Sequence, residues 1–318
     1  MQMTQALVIA EPHNVELRPV NLIEPGDDDV VVRTSHTSIS AGTERMLLSG
    51  RMPHPMLQFP VVPGYETVGQ VVHCGAHVPA DLAGSWVYVG GALCFEGVNP
   101  AWGGQSQTLV VDHRRVVPLA GIAPQQGVLL ALSATALHGI DLLQLRPEQR
   151  VLVLGQGPVG QLAARLAVGQ ERWVAVADRV ASRLERSVAD VIFDVRNTSL
   201  TDQLNESVDV IIESTGSMQA LSAALALLSE GGTILLLGYY DELHLPYMPL
   251  FLKQARLLTA REWGPGDLAE CRDRLLDGSL NVESLITHQI PVERFKEAYH
   301  TALEDPECLK LVLEWSQS

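Results

Sequence analysis

Two rhythms of apolar and polar positions divide this chain. Up to residue 120, short runs alternate every second residue, among them Ala6–Ala10, Val30–Thr34, Thr67–Val72 and Trp86–Val89, with Gly, Pro or Asp between them. A period of two broken by turn residues predicts short antiparallel strands, and many such strands in succession predict a compact, barrel-like β domain. Near Pro124 the pattern changes. Gln125–Asp141, rich in Leu and Ala, predicts one continuous helix. Beyond Arg146 and Pro147, near-pure apolar runs recur between helical stretches: Val151–Leu154, Trp173–Ala177, Val191–Phe193, Val208–Ile212, Thr233–Leu237 and Leu257–Ala260. Strands covered by helices on both faces have this composition, so a doubly wound parallel sheet of six strands is predicted. The tail predicts a helix over Leu268–Asp277, an extended segment at Leu285–Ile290, a helix over Pro291–Leu303 and a final strand at Leu309–Trp315. It is too short for a third domain. Residues 278–318 are expected to complete the first domain, 1–120, with 121–277 as the α/β domain.

Composition narrows the function classes. The chain has 318 residues, 47% of them hydrophobic, enough for two cores and too apolar for a disordered chain. Its formal net charge of −15 disfavours nucleic acid and anionic lipid as partners. The four cysteines, Cys74, Cys94, Cys271 and Cys308, show no C-x-x-C spacing, a reduced pattern with neither a disulfide framework nor a zinc knuckle. No secretory leader is read at the N-terminus, and the longest uncharged apolar stretch, Gly127–Ile140, falls short of the about 20 residues a spanning helix needs. A cytoplasmic protein with no integral membrane segment is expected.

The sharpest motif follows the first α/β strand: Gly155, Gly157 and Gly160, with Pro158 and Val159 between them, in G-x-G-x-x-G spacing where a helix should start. There the first glycine allows the tight turn, the second lets backbone approach a pyrophosphate, and the third lets helix pack on strand. Free N–H groups and the helix dipole then hold the phosphates. The second strand ends at Asp178, 23 residues beyond Gly155. A carboxylate there accepts from ribose hydroxyls and repels a 2′-phosphate, which favours NAD over NADP. Arg179, read as lying along the adenine, and Arg183 weaken that preference. Ser214, Thr215 and Gly216 after the fourth strand, and Gly238 and Tyr239 after the fifth, occupy strand ends where the nicotinamide half is expected.

The first domain carries three further signatures: Ser38-Ile39-Ser40-Ala41-Gly42-Thr43-Glu44-Arg45, Gly50-Arg51-Met52-Pro53, and Val62-Pro63-Gly64-Tyr65-Glu66-Thr67-Val68-Gly69. With the glycine motif and the tail, these resemble the medium-chain dehydrogenase/reductase superfamily over essentially the whole chain. The resemblance implies a GroES-like catalytic domain joined to a Rossmann domain. Within the superfamily the three series, together with Gly90–Val98 and Trp102-Gly103-Gly104, resemble a family of bacteriochlorophyllide dehydrogenases of bacteriochlorophyll synthesis. A tetrapyrrole substrate and oxidation of its hydroxyethyl group to acetyl are thereby implied.

The superfamily's zinc enzymes place Cys, His and a second Cys where this chain has Ser40, Tyr65, and Ala131 or Leu132. These are poor zinc ligands, and Glu66 alone would not hold the metal, so no zinc is expected. Metal-free oxidation of an alcohol needs a positioned acid/base group. Tyr65 is the expected proton-handling phenol, Ser40 a relay hydroxyl, and Glu66 a group orienting Tyr65 or polarising the site. His36, close in sequence to Ser40, is a fourth candidate; His138 is read as structural. Thr43 and Glu44 are expected to cap a helix over Arg45–Leu48. A broad apolar ligand carrying a carboxylate implies aromatic walls and a cation. Phe59, Phe95 and Trp102, on loops 46–60 and 90–105, are candidates for the walls, and Arg45 or Arg51 for the cation. The apolar edge at Leu257–Ala260 could pair two copies into a homodimer. Two other readings stay open: a zinc-free quinone or enoyl reductase of the same superfamily, and a nucleotide-binding scaffold without turnover.

Overall fold

The structure, a computed structural model, describes residues 2–53, 57–168 and 172–316. The chain divides into two compact units, Met1–Ala131 with Ile286–Ser318, and Leu132–Leu285. The boundaries expected from the sequence lie at 120/121 and 277/278. This division falls at 131/132, inside the helix Leu130–Leu143, and at 285/286, where the chain enters a strand.

In the first unit, alternation of buried and exposed positions builds two sheets. One has five strands, with Gln2–Glu11 paired antiparallel to Asn14–Leu22 at its centre. The other has seven, in which Asp29–Ile39 pairs with Thr67–Cys74, with Thr108–Asp112 and with the C-terminal strand Lys310–Glu314. The last strand lies antiparallel to Asp29–Ile39, with Glu314 opposite His36 and Leu311 opposite Ile39, and parallel to Ile286–Pro291. Chain ends far apart in sequence therefore share one core with the helices Ala41–Leu48 and Phe295–Glu304, around Leu7, Ile9, Leu47, Leu313 and Trp315.

In the second unit the six parallel strands are Val191–Asp194, Trp173–Asp178, Arg150–Leu154, Val208–Glu213, Leu228–Leu236 and Arg256–Thr259, in that spatial order. Numbered along the chain this is 3-2-1-4-5-6, the doubly wound order with its switch point between the first and fourth strands. The middle strands are largely buried; the outer strand Arg256–Thr259 is mostly exposed, Leu257 at 39%, and the other outer strand, Val191–Asp194, is mixed, with Phe193 buried and Ile192 exposed.

The single helix expected over Gln125–Asp141 is instead two pieces, Pro124–Gly127 and Leu130–Leu143. Gly127 ends the first. It sits so close to Leu119 and Val68 that a Cβ would stand 2.9–3.0 Å from their side chains. No helix among the described residues is long and apolar enough to cross a membrane.

Candidate active site

The dinucleotide cradle is built by local geometry. Gly155 takes a φ of +88°, a conformation glycine adopts without penalty, just after the strand Arg150–Leu154. A Cβ on Gly160 would collide with the Gly155 carbonyl oxygen and the Ser214 hydroxyl, which explains the third glycine. Gly157 is different. It is the N-cap of the helix Pro158–Ala167, and nothing lies within 4 Å of where its Cβ would be. Pro158 at the first helical position gives up no useful donor. Open space in front of unbonded helix N–H groups fits a pyrophosphate.

Asp178, at the end of the neighbouring strand, is held by three backbone donors. The Gln156 N–H donates at 2.5 Å, Arg179 N–H at 2.6 Å and Val180 N–H at 2.8 Å. Its carboxylate thus fixes the glycine turn, beside the exposed Arg179. Together these residues fit a dinucleotide.

Sequence reasoning missed the hub at the other strand ends. Glu213 is fully buried, and its carboxylate accepts from the Thr215 N–H at 2.8 Å, the Thr215 hydroxyl and the Gly216 N–H at 3.1 Å. Its backbone carbonyl accepts from the N–H groups of Leu237 and Gly238. Glu213 therefore ties the Ser214–Gly216 turn to the loop at Gly238, while the Ser214 hydroxyl donates to the Leu154 carbonyl at 2.8 Å. Burial raises the Glu213 carboxyl above its ordinary range, against the donors from Thr215 and Gly216. The signal was a carboxylate ending an apolar strand directly before Ser-Thr-Gly. Gly238 and Tyr239 line an open depression of about 290 Å³ with Tyr240, Thr259 and Ala260, and Tyr239 is 51% exposed.

In the first unit the hydroxyls of Ser40 and Tyr65 lie 2.6 Å apart, with the Thr43 hydroxyl 3.4 Å from that of Tyr65. The phenol ring packs on Trp102 at a centroid distance of 5.3 Å, and the Tyr88 hydroxyl holds the Tyr65 carbonyl at 2.7 Å. Burial first, then the Glu66 carboxylate, push the Tyr65 phenol well above its ordinary range, so it stays a neutral hydroxyl.

Glu66 makes no hydrogen bond to the Tyr65 hydroxyl. It accepts from the Ser38 hydroxyl and pairs with the Lys310 ammonium, both side chains being 1% exposed. Lys310 was not foreseen; the clue was one lysine within the apolar run Leu309–Trp315.

Thr43 and Glu44 do not cap a helix. The helix begins at Ala41, so both lie inside its first turn, with Ser40 as an N-cap that makes no side-chain cap bond. Thr43 turns to Tyr65, and Glu44 is buried and accepts from the Tyr299 hydroxyl.

The remaining candidates scatter. His36 sits between Val68 and Glu314 in the sheet, its Nδ1 buried without a hydrogen-bond partner, and burial lowers its pKa against the pull of Glu314. Phe59 and Trp102 pack on the core that holds Met52 and Val61. Phe95 instead fills the space between the cores around Val89 and Val62. Arg45 donates to the Leu303 carbonyl, and the Arg51 Nε donates to the Ser49 hydroxyl at 3.0 Å. Of the expected rim loop 46–60, residues 54–56 lie outside the described residues.

Residues 26–121 match the family described as alcohol dehydrogenase GroES-like domain, and residues 158–276 match that described as zinc-binding dehydrogenase. The chain is 34% identical to the 2-desacetyl-2-hydroxyethyl bacteriochlorophyllide A dehydrogenase of Cereibacter sphaeroides, over 98% of each chain. It is also 34% identical to the enzyme of the same name from Rhodobacter capsulatus, over 99% of each. Among solved structures, an alcohol dehydrogenase of E. coli complexed with NADH superposes with a TM-score of 0.86 at 22% identity, covering 98% of this chain and 99% of that one. An L-idonate 5-dehydrogenase of Escherichia coli gives 0.87 at 20% identity, covering 98% of each.

The zinc in one of those family descriptions does not suit the donors here. Ser40 and Tyr65 present neutral hydroxyls to each other, and Glu66, the one nearby carboxylate of the expected set, already pairs with an ammonium that would repel a second cation. Among the described residues, no three His, Cys, Asp or Glu side chains gather where a metal ion could be held.

Proposed function

We propose that this chain, which belongs to the medium-chain dehydrogenase/reductase superfamily, oxidises the 1-hydroxyethyl side chain of a bacteriochlorophyllide to an acetyl group with NAD and without catalytic zinc. The observation that carries this reading is the full-length similarity to the two bacteriochlorophyllide dehydrogenases. The cofactor is held by the backbone at Gly155–Gly160, with Gly157 left open for the pyrophosphate, by Asp178 at the ribose, and by the turns at Ser214–Gly216 and Gly238–Tyr239. When bound, NAD supplies the hydride acceptor.

The chain's own residues manage the proton. The reaction removes a hydride from the carbinol carbon and a proton from its oxygen. Tyr65, held neutral, hydrogen-bonds the carbinol oxygen and lies 2.6 Å from the Ser40 hydroxyl, so the two hydroxyls would pass the alcohol's proton along to solvent water, each taking one proton and giving one up. Lys310 and Ser38 fix Glu66 behind this pair, so its negative charge acts on Tyr65 from a constant position. The carbinol carbon is attached to a conjugated macrocycle, which spreads the positive charge that develops there and lowers the demand for a full alkoxide. Phe59 and Trp102 would wall the macrocycle, and Arg51 would meet its propionate. Asp178 is held by three N–H donors, so a 2′-phosphate would meet a fixed negative charge, which favours NAD.

The donor set would also suit a zinc-free quinone or enoyl reductase of the superfamily; tight binding of NADPH over NADH would favour that reading. The outer strand Arg256–Thr259, paired on one side only, would join two copies into a homodimer, which sedimentation would reveal. The function is tested by mixing the protein with NAD and hydroxyethyl bacteriochlorophyllide. The macrocycle's red band should move as a conjugated ketone forms, and Tyr65→Phe should slow this by about a hundredfold or more. No spectral change with either cofactor would contradict the proposal.

A further inference from the structure

Two carboxyl groups and one ammonium are sealed together in the first unit. Glu44, Glu66 and Lys310 are each 1% exposed. Lys310 pairs with Glu66, which also accepts from the Ser38 hydroxyl. Among the described residues, Glu44 has no cation of its own. Its Oε2 accepts from the Tyr299 hydroxyl, while its Oε1 is buried without a hydrogen-bond partner. One ammonium cannot neutralise two buried carboxylates, and an unpaired buried charge is far costlier than a neutral acid.

We propose that Glu44 is a positioning residue for the Ser40–Tyr65–Thr43 hydroxyls, acting through its charge. It follows Thr43 on the helix Ala41–Leu48, and Thr43 reaches the Tyr65 hydroxyl at 3.4 Å. The groups around it come from every packed element. Tyr299 comes from the helix Phe295–Glu304, Lys310 from the last strand, and Tyr65, Glu66 and Gln105 from the intervening segments. Burial raises the Glu44 carboxyl to about 7, with Glu66 adding to the rise and the Tyr299 hydroxyl, the Gln105 side chain and Lys310 opposing it. Below that pH Glu44 is a neutral acid. Above it Glu44 is a carboxylate, and the added negative charge stabilises the positive charge that develops as hydride leaves and the alcohol's proton passes along the hydroxyls to solvent water, assisting oxidation and opposing reduction.

This rests on the dehydrogenase reading, and its test has an arm that does not. Infrared difference spectra of the protein alone, titrated from pH 5 to 9, should show a carboxylic-acid carbonyl band vanishing near pH 7. Glu44→Gln should remove that band. Tyr299→Phe should move its midpoint upward, because a donor to the carboxylate is lost, and it serves equally if Glu44→Gln fails to fold. With pigment and NAD, turnover should rise through the same pH in the native protein. In Glu44→Gln it should stay at the low-pH level, about tenfold down at pH 8.5, the size of one unit of pKa coupling. A band that persists in Glu44→Gln, a midpoint unmoved by Tyr299→Phe, or a native pH profile unchanged in Glu44→Gln would each overturn the proposal. Absence of turnover with an intact infrared titration would count against the substrate assignment and leave the acid in place.

Discussion

The two units each bury carboxylates and satisfy them in different ways. In the α/β unit, Glu213 draws donors from residues two and three positions away, Thr215 and Gly216. In the β-rich unit, Glu66 is matched by Ser38 and by Lys310, and Glu44 by Tyr299, with Lys310 and Tyr299 coming from the far end of the chain. A carboxylate held by nearby backbone N–H groups forms with the turn it organises. One matched by a distant ammonium depends on the whole sheet closing. The second arrangement is therefore the more fragile, and the more sensitive to protonation.

The largest way to break this contrast is Lys310→Met. Removing one partner of a buried pair leaves Glu66 uncompensated and should cost about 3–5 kcal/mol in denaturant unfolding, with part recovered by adding Glu66→Gln. Next comes pH. Glu44 rises from an ordinary 4.5 to about 7 on folding, so its contribution is complete below pH 4.5 and is lost as pH climbs through 7. Relative to Glu44→Gln, the native protein should lose about 3 kcal/mol across that window, measured as the difference between the two stability profiles.

Within the cradle, Gly160→Val should destabilise by roughly 1–3 kcal/mol, because its side chain meets the Gly155 carbonyl and Ser214. Gly157→Val, with open space around it, should leave unfolding within about 0.5 kcal/mol of native and yet weaken NAD binding by about tenfold or more. Equal effects at both glycines would erase the assignment of Gly157 to the pyrophosphate. The smallest expected effect is at the rim. Arg51→Ala should raise KM for the acidic pigment by about tenfold or less and leave NAD binding unchanged in a direct titration.

What was legible in the sequence follows the same division. Gly155, Gly157, Gly160 and Asp178 act within one strand–turn–helix–strand passage, so their spacing alone places them. The four inner apolar runs announced their strands because burial on both faces leaves few polar positions, while the two outer ones, Val191–Phe193 and Leu257–Ala260, carry the same pattern with little burial. In the other unit, the Ser40–Tyr65 contact was suggested by resemblance, but Lys310, Tyr299 and Gln105 come from distant segments that only the closed sheet brings to Glu66 and Glu44. Sequence spacing carries no record of such meetings. The misreading of Thr43 and Glu44 has the same origin. A Thr-Glu pair at a helix start looks like a cap, and what turned those side chains inward was a core assembled from the far end of the chain. Gly127, which splits the helix expected over Gln125–Asp141, likewise answers to Leu119 and Val68 rather than to its own neighbours.

The central claim is that hydroxyls and a locked ion pair do here what a metal does elsewhere in the superfamily. It is tested most directly by assaying bound metal in the purified protein and then following NAD-dependent pigment oxidation before and after exhaustive chelation. Substoichiometric zinc and unchanged turnover are expected. One zinc per chain, with activity lost on its removal and restored by its return, would contradict it.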